Sequence, residues 1–227
     1  MNRSMRAFCL VLAITVCVGC ERRRESTASK LGHNNNEYVI AIVFDLSGSF
    51  QELMNERAYK FALRVIDRYA KDRGRGQDRI ILAQVSGPGT LPLLWEGTAH
   101  ELRKRFKSSA DFNAFLKSHA NPSGSLINQG VAQAASYVLR EPRVASGEVK
   151  SAMFVLSDME DNDPEQAASQ EKLRQTLTTY ASKGNIAGFY FVDQRRLRAL
   201  EKVCQDAGFR DFKIVCDIVD TPDLPSF

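Results

Sequence analysis

Histidine and cysteine are scarce in this 227-residue chain, and the familiar catalytic motifs are missing. The three histidines, His33, His100 and His119, are scattered through the sequence. There is no Gly-rich phosphate loop of the Walker type, no His-Glu-x-x-His and no Gly-x-Ser-x-Gly. The nucleotide, zinc-peptidase and serine-hydrolase chemistries that those motifs carry therefore have no foothold here. No internal repeat is visible. An excess of one charge is also lacking. The formal charge is +4, and without Arg3 and Arg6 the chain carries 29 basic against 27 acidic residues. Such a balance leaves no footprint for nucleic acid.

What is present at the start is a charged segment followed by Ala7 to Val18, an apolar stretch too short to span a bilayer. Arg3, Arg6, that stretch and the small Gly19 describe a secretory signal. Val18-Gly19-Cys20 resembles a bacterial lipobox, with Cys17 where that pattern usually has Leu. The resemblance implies a signal peptide over 1–19 and a lipidated Cys20 as first mature residue. It implies an exported lipoprotein, anchored in a membrane of the cell envelope and facing the periplasm or the cell exterior. An ordinary cleaved export signal is the alternative. Several acyl chains, at about 0.8 kcal/mol per buried CH2, would anchor the protein durably. Residues 20–36 are polar, without apolar periodicity, and read as a flexible tether reaching about 20 Å. Arg22, Arg23 and Arg24 could meet anionic headgroups there or form a solvated charge run.

Of five cysteines, only Cys204 and Cys216 fall in the part expected to fold. Export permits a disulfide between them, worth about 3 kcal/mol, and two small buried thiols are the alternative.

Residues 37–220 suffice for one α/β domain with a full core. Tyr38 to Phe44 is a nearly unbroken apolar run that predicts a strand buried on both faces. Helical spacing follows from Met54 to Lys71, ended by Gly74 and Gly76, and Arg79 to Val85 reads as a second strand. Gly87-Pro88-Gly89 turns the chain into Leu91 to Trp95, too soon for a parallel crossover, so this pair predicts an antiparallel hairpin. Helices are expected over Ala99–Phe106, Asp111–His119, Ile127–Arg140, Pro164–Ser182 and Arg195–Ala207, and strands over Ala152–Leu156, Ile186–Val192 and Phe212–Cys216. Alternating strands and helices mean a doubly wound, Rossmann-like, mainly parallel sheet with one antiparallel edge strand and helices on both faces. Residues 221–227, with two prolines, read as a loosely held tail.

Asp45-Leu46-Ser47-Gly48-Ser49 follows the first strand at once. One carboxylate and two hydroxyls at alternate positions place hard oxygen ligands in one tight loop, which suits Mg2+ or Mn2+. The pattern Asp-x-Ser-x-Ser resembles the metal-ion-dependent adhesion site of von Willebrand factor type A domains. That family completes its site from two further loops, and in this sequence Ser125 and Asp158 stand in those places. The resemblance covers about Glu37 to Cys216. It implies direct ligation by Ser47 and Ser49, with Ser125 joining or leaving and Asp45 and Asp158 acting through water. Two residues depart from the family pattern: Ser125 replaces its Thr, and Met159 replaces the Gly after the third-loop Asp.

Taken singly, each of these residues is an ordinary cap or loop former. Glu160 and Asp161 read as rim residues or as a solvated acidic loop, Asp163 before Pro164 as an N-cap, and His119 as a neighbour of the second loop or an exposed helix end. Hydroxyl ligands leave a cation under-neutralised and able to take an acidic side chain from outside. The expected function is a non-enzymatic binding module: it captures an Asp or Glu of a protein partner through Mg2+ or Mn2+ and meets the membrane through Cys20. The alternatives are a structural envelope scaffold with a silent metal site, or a metal-dependent phosphoesterase, which would want a second Asp where Ser47 stands.

Overall fold

A computed structural model describes residues 37–71, 78–85, 93–121, 124–216 and 223–227. The signal peptide, Cys20, the tether, the glycine breaks at 74 and 76 and the turn at 87–89 lie outside the described residues.

Strand β1 (Tyr38–Phe44) is buried along its whole length. Its alternate side chains feed two separate cores, as a two-residue period requires. Val39, Ala41 and Val43 join one apolar cluster, while Tyr38, Ile40, Ile42 and Phe44 join the other. The chain continues through α1 (Gln51–Leu53) and a π-helical turn, Met54–Ala58, into α2 (Tyr59–Lys71). Then come β2 (Arg79–Gln84), β3 (Leu93–Thr98), α3 (Ala99–Arg105), α4 (Ser109–Ser118), α5 (Ile127–Val138) and α6 (Pro142–Ser146). The last elements are β4 (Lys150–Leu156), α7 (Gln166–Ser182), β5 (Ile186–Tyr190), α8 (Gln194–Ala207) and β6 (Phe212–Val215).

The sheet order is β3-β2-β1-β4-β5-β6, parallel except for β2–β3, so the expected antiparallel edge is present. Buried residues of α2, α3 and α4 pack in the cluster on one face; those of α5, α7 and α8 pack in the other. Gly130 of α5 lies against the end of β2, where a Cβ would come within 2.5 Å of Val85. After β2 and β3 the chain crosses β1 to build β4 on its other side. The carboxyl ends of β1 and β4 therefore form the switch point, where open α/β sheets bind ligands.

The amino end of the sheet is closed by paired charges. Arg79 bonds Glu96 and Glu141, the latter at 2.8 Å, and Tyr137 donates its hydroxyl to Glu96 at 2.6 Å. Arg143 continues the chain to Glu141 at 3.3 Å and to Glu37. Of the loosely held tail expected over 221–227, the described residues 223–227 pack against the sheet. Pro225 is buried, Tyr190 donates its hydroxyl to the Asp223 carbonyl at 3.0 Å, and the Phe227 ring lies 4.3 Å from that of Tyr38.

Candidate metal site

Two buried strands deliver the first and third loops side by side. The Asp45 N–H donates to the Leu156 carbonyl at 2.9 Å, extending the β1–β4 pairing one step past the strands. Asp45 is fully buried. Its Oδ1 accepts the Ser47 N–H at 3.0 Å and its Oδ2 accepts the Ser157 hydroxyl at 2.9 Å. The Ser47 and Ser49 hydroxyls lie 3.2 Å apart, and the Ser49 hydroxyl bonds Asp158. Asp45, Ser47, Ser49 and Asp158 therefore form one connected polar cluster at the switch point.

The electrostatics of this cluster are unbalanced. Burial pushes the Asp45 carboxyl above its ordinary range, opposed by hydrogen bonds from Ser47 and Ser157 and helped by the Asp158 charge. Burial likewise raises Asp158, with Glu160 and Asp193 adding repulsion against the Glu160 N–H and Ser49 bonds. Among the described residues no Lys, Arg or His forms an ion pair with either carboxylate. No three of His, Cys, Asp and Glu cluster as metal ligands among them either. The donor set is oxygen only, two acids and two hydroxyls, and it suits a small hard cation.

Ser125 stands beside the cluster. The second loop does reach the third, but the Ser125 hydroxyl donates to the Glu160 carbonyl at 3.2 Å. Its backbone is held on both sides by Asn162, whose Oδ1 accepts the Ser125 N–H at 3.3 Å and whose N–H donates to the Ser125 carbonyl at 3.0 Å. Ser125 thus stands next to the cluster as a member of the third loop's own bonding.

The departure at Met159 acquires a physical meaning. Its φ is +63°, in the left-handed region that an L side chain enters at a cost of about 1–2 kcal/mol. Glycine would occupy this position without that penalty. Here the Met159 N–H donates to the Ser157 hydroxyl at 2.8 Å, and its side chain is buried against the core shared with α5 and α7.

Three contributors escaped the sequence reading. Ser157 ties Asp45 to Met159, and its only signal was a hydroxyl between an apolar strand and Asp158. Asn162 pairs with Ser125 across 37 positions of sequence. Asp161 is half-buried, in contrast to the solvated loop expected, and accepts the Ile127 N–H at 3.1 Å and the Asn128 N–H at 3.4 Å. A signal for it did exist: Leu126, the residue before α5, has no side-chain oxygen with which to cap the helix. Asp163 is not the N-cap expected: α7 starts at Gln166 with Glu165 at its N-cap, and Asp163 accepts the Glu165 N–H at 2.8 Å in the turn before it. His119 is an exposed end of α4, bonded to the Phe115 carbonyl at 2.8 Å and turned to its own helix. Cys204 and Cys216 are unbridged thiols, Cys204 fully buried and pushed by that burial up to about 12.

No protein-family model and no curated protein matches this sequence. Solved structures do match in shape. A von Willebrand factor type A protein from Catenulispora acidiphila aligns at TM-score 0.50 and 13% identity, over 80% of this chain and 39% of its own. The pilus adhesin SpaC from Lactobacillus rhamnosus GG, in an open conformation, aligns at TM-score 0.55 and 14% identity, over 83% of this chain and 29% of its own. The chain spans well under half the length of either structure. At these identities the likeness is one of fold, and that fold is the α/β fold of von Willebrand factor type A domains.

Proposed function

We propose that this protein captures a carboxylate of a protein partner, from an Asp or Glu side chain, through a Mg2+ or Mn2+ ion held by Asp45, Ser47, Ser49 and Asp158. The observation that carries the reading is the fully buried Asp45 and the half-buried Asp158, neither in an ion pair, joined by two serine hydroxyls at the switch point. Bound there, the ion would supply a Lewis-acidic position open to an outside oxygen ligand. Asp45 supplies negative charge from beneath, and the Ser47 N–H and Ser157 hydroxyl fix its orientation. Ser47 and Ser49 offer neutral oxygens, which leave positive charge for the partner to meet. Ser125 enters this set by giving up its bond to the Glu160 carbonyl, so the second loop supplies a ligand on demand. The setting we propose is the cell envelope, with Cys20 lipidated and residues 20–36 as tether. The lipobox-like Val18-Gly19-Cys20 supports that part.

Asp45→Ala and Ser47→Ala should each abolish saturable divalent binding and metal-dependent capture of acidic peptides while the fold persists by circular dichroism. Unchanged binding in both variants would overturn the proposal. A cation site that is silent would follow from Met159 and from the engaged Ser125 hydroxyl; wild-type folding and partner retention unaffected by a chelator would favour that scaffold reading.

A further inference from the structure

Helix α5 begins with a deficit. The first N–H groups of any α-helix lack intrahelical partners and need an outside acceptor. Serine, threonine, aspartate or asparagine at the N-cap normally supplies one, but this position is Leu126. Ser125, one residue earlier, has its hydroxyl on the Glu160 carbonyl. The acceptor comes from the third loop instead. Asp161 takes the Ile127 N–H on Oδ1 at 3.1 Å, and on Oδ2 the Asn128 N–H at 3.4 Å together with the Asn128 side-chain amide.

The contact is continuous along the loop. Glu160 receives the Ser125 hydroxyl, Asp161 caps the helix, and Asn162 exchanges two bonds with the Ser125 backbone. Gly124 leaves the room this needs: its φ is +97°, and a Cβ there would sit 3.1 Å from the Asn162 Oδ1. Three consecutive residues, 160–162, therefore hold Ser125, Ile127 and Asn128. Asp161 also accepts the Asp163 N–H at 3.1 Å, so its own loop is folded around the same carboxylate.

We infer that Asp161 is a positioning residue: by capping α5 from the third loop it clamps that loop to the second and sets where Ser125 stands relative to Asp158. This rests on the metal-site reading for its functional consequence, though the clamp itself does not. A cap in cis would stabilise α5 equally well without tying two loops together. Supplying the cap from 34 positions away makes the helix start and the metal loop one mechanical unit. Groups that orient metal ligands in this way typically alter affinity by about 10- to 100-fold when removed.

The test separates the two jobs of one carboxylate. In the full chain, Asp161→Ala removes cap and clamp together, and the double variant Asp161→Ala/Leu126→Ser restores a cap in cis without the clamp, with Leu126→Ser alone as control. Amide hydrogen exchange without divalent cation reads the clamp directly. In the double variant the first-turn amides of α5 should regain protection while Ser125 and Asn162 amides exchange at least tenfold faster than in wild type. Wild-type protection at Ser125 and Asn162 in that variant would overturn the inference whatever the metal does. Mg2+ and Mn2+ titrations then read the consequence, with an expected weakening of about tenfold in the double variant. Full affinity there, beside a Ser47-dependent wild-type signal, would also overturn it. If wild type shows no Ser47-dependent binding while the exchange result holds, the clamp stands and the metal-site reading fails.

Discussion

The two ends of the sheet handle their acids in opposite ways. At the amino end, Glu96, Glu141 and Glu37 each meet an arginine, and Tyr137 adds a hydroxyl to Glu96. At the carboxyl end, Asp45 is fully buried and Asp158 half-buried; they repel each other, accept hydrogen bonds only from hydroxyls and backbone N–H groups, and form no ion pair, Arg195 acting on Asp158 only through its charge. Hydrogen bonds alone do not neutralise two charges in a low-dielectric site. An acid already neutralised by its neighbours has finished its work in folding. One left without an ion-pair partner at a switch point carries a cost that a bound cation would remove.

The largest effect should come from breaking the carboxyl end. Asp45→Asn keeps the shape and can still accept the Ser47 N–H, but removes one charge. We expect divalent affinity to fall by about 100-fold, read by calorimetry, while the cation-free protein melts no lower than wild type. The mirror experiment is Glu96→Gln at the amino end. It should lower stability by about 1 kcal/mol, the scale of a partly exposed ion pair, and leave divalent binding unchanged. A variant that moved both quantities would erase the distinction between the ends.

A third test sharpens the strain at the carboxyl end. Met159→Ala loses buried side chain, so it should destabilise; Met159→Gly loses slightly more but relaxes φ +63°. Denaturant unfolding should place Gly above Ala by about 1 kcal/mol, the reverse of their order at an ordinary backbone position.

The smallest effect is in the pH dependence, where the ends should differ in sign. Asp45 and Asp158 hold their protons more tightly folded than unfolded, relative to the ordinary 3.8. Their contribution to stability is full below that value and is lost as pH rises through the raised folded value. Glu96 is the converse. Burial pushes it up, but the bonds from Arg79 and Tyr137 outweigh burial and hold it below 4.5. Its contribution is present above 4.5 and is lost as pH falls through the lowered folded value. Between about pH 3 and pH 7 without divalent cation, Asp45→Asn should gain on wild type as pH rises, and Glu96→Gln should lose. Parallel curves would refute the assignment.

The sheet was legible in sequence because its strands are apolar runs with sharp polar ends. Tyr38 to Phe44 and the strand ending at Leu156 announce themselves, and each is followed by the carboxylate that the switch point brings together. The antiparallel edge followed from loop length alone. What stayed hidden depends on contacts between distant segments. Nothing local in Asp161 says that it caps a helix beginning at Ile127, and the hydroxyl of Ser125 could have turned to the Asp45 loop as readily as to Glu160. The C-terminal segment is another case. Its two prolines suggested looseness, yet Pro225 is buried and Phe227 packs on Tyr38, contacts set by where β1 begins. The φ of Met159 could be suspected only from the residue type that related folds place there.

The most direct measurement is a calorimetric titration of Mg2+ and then Mn2+ into the full chain, with Ser47→Ala as control. The account predicts saturable one-to-one binding in wild type that the control loses with its fold intact. Absence of binding in wild type, or binding that survives Ser47→Ala unchanged, would contradict it.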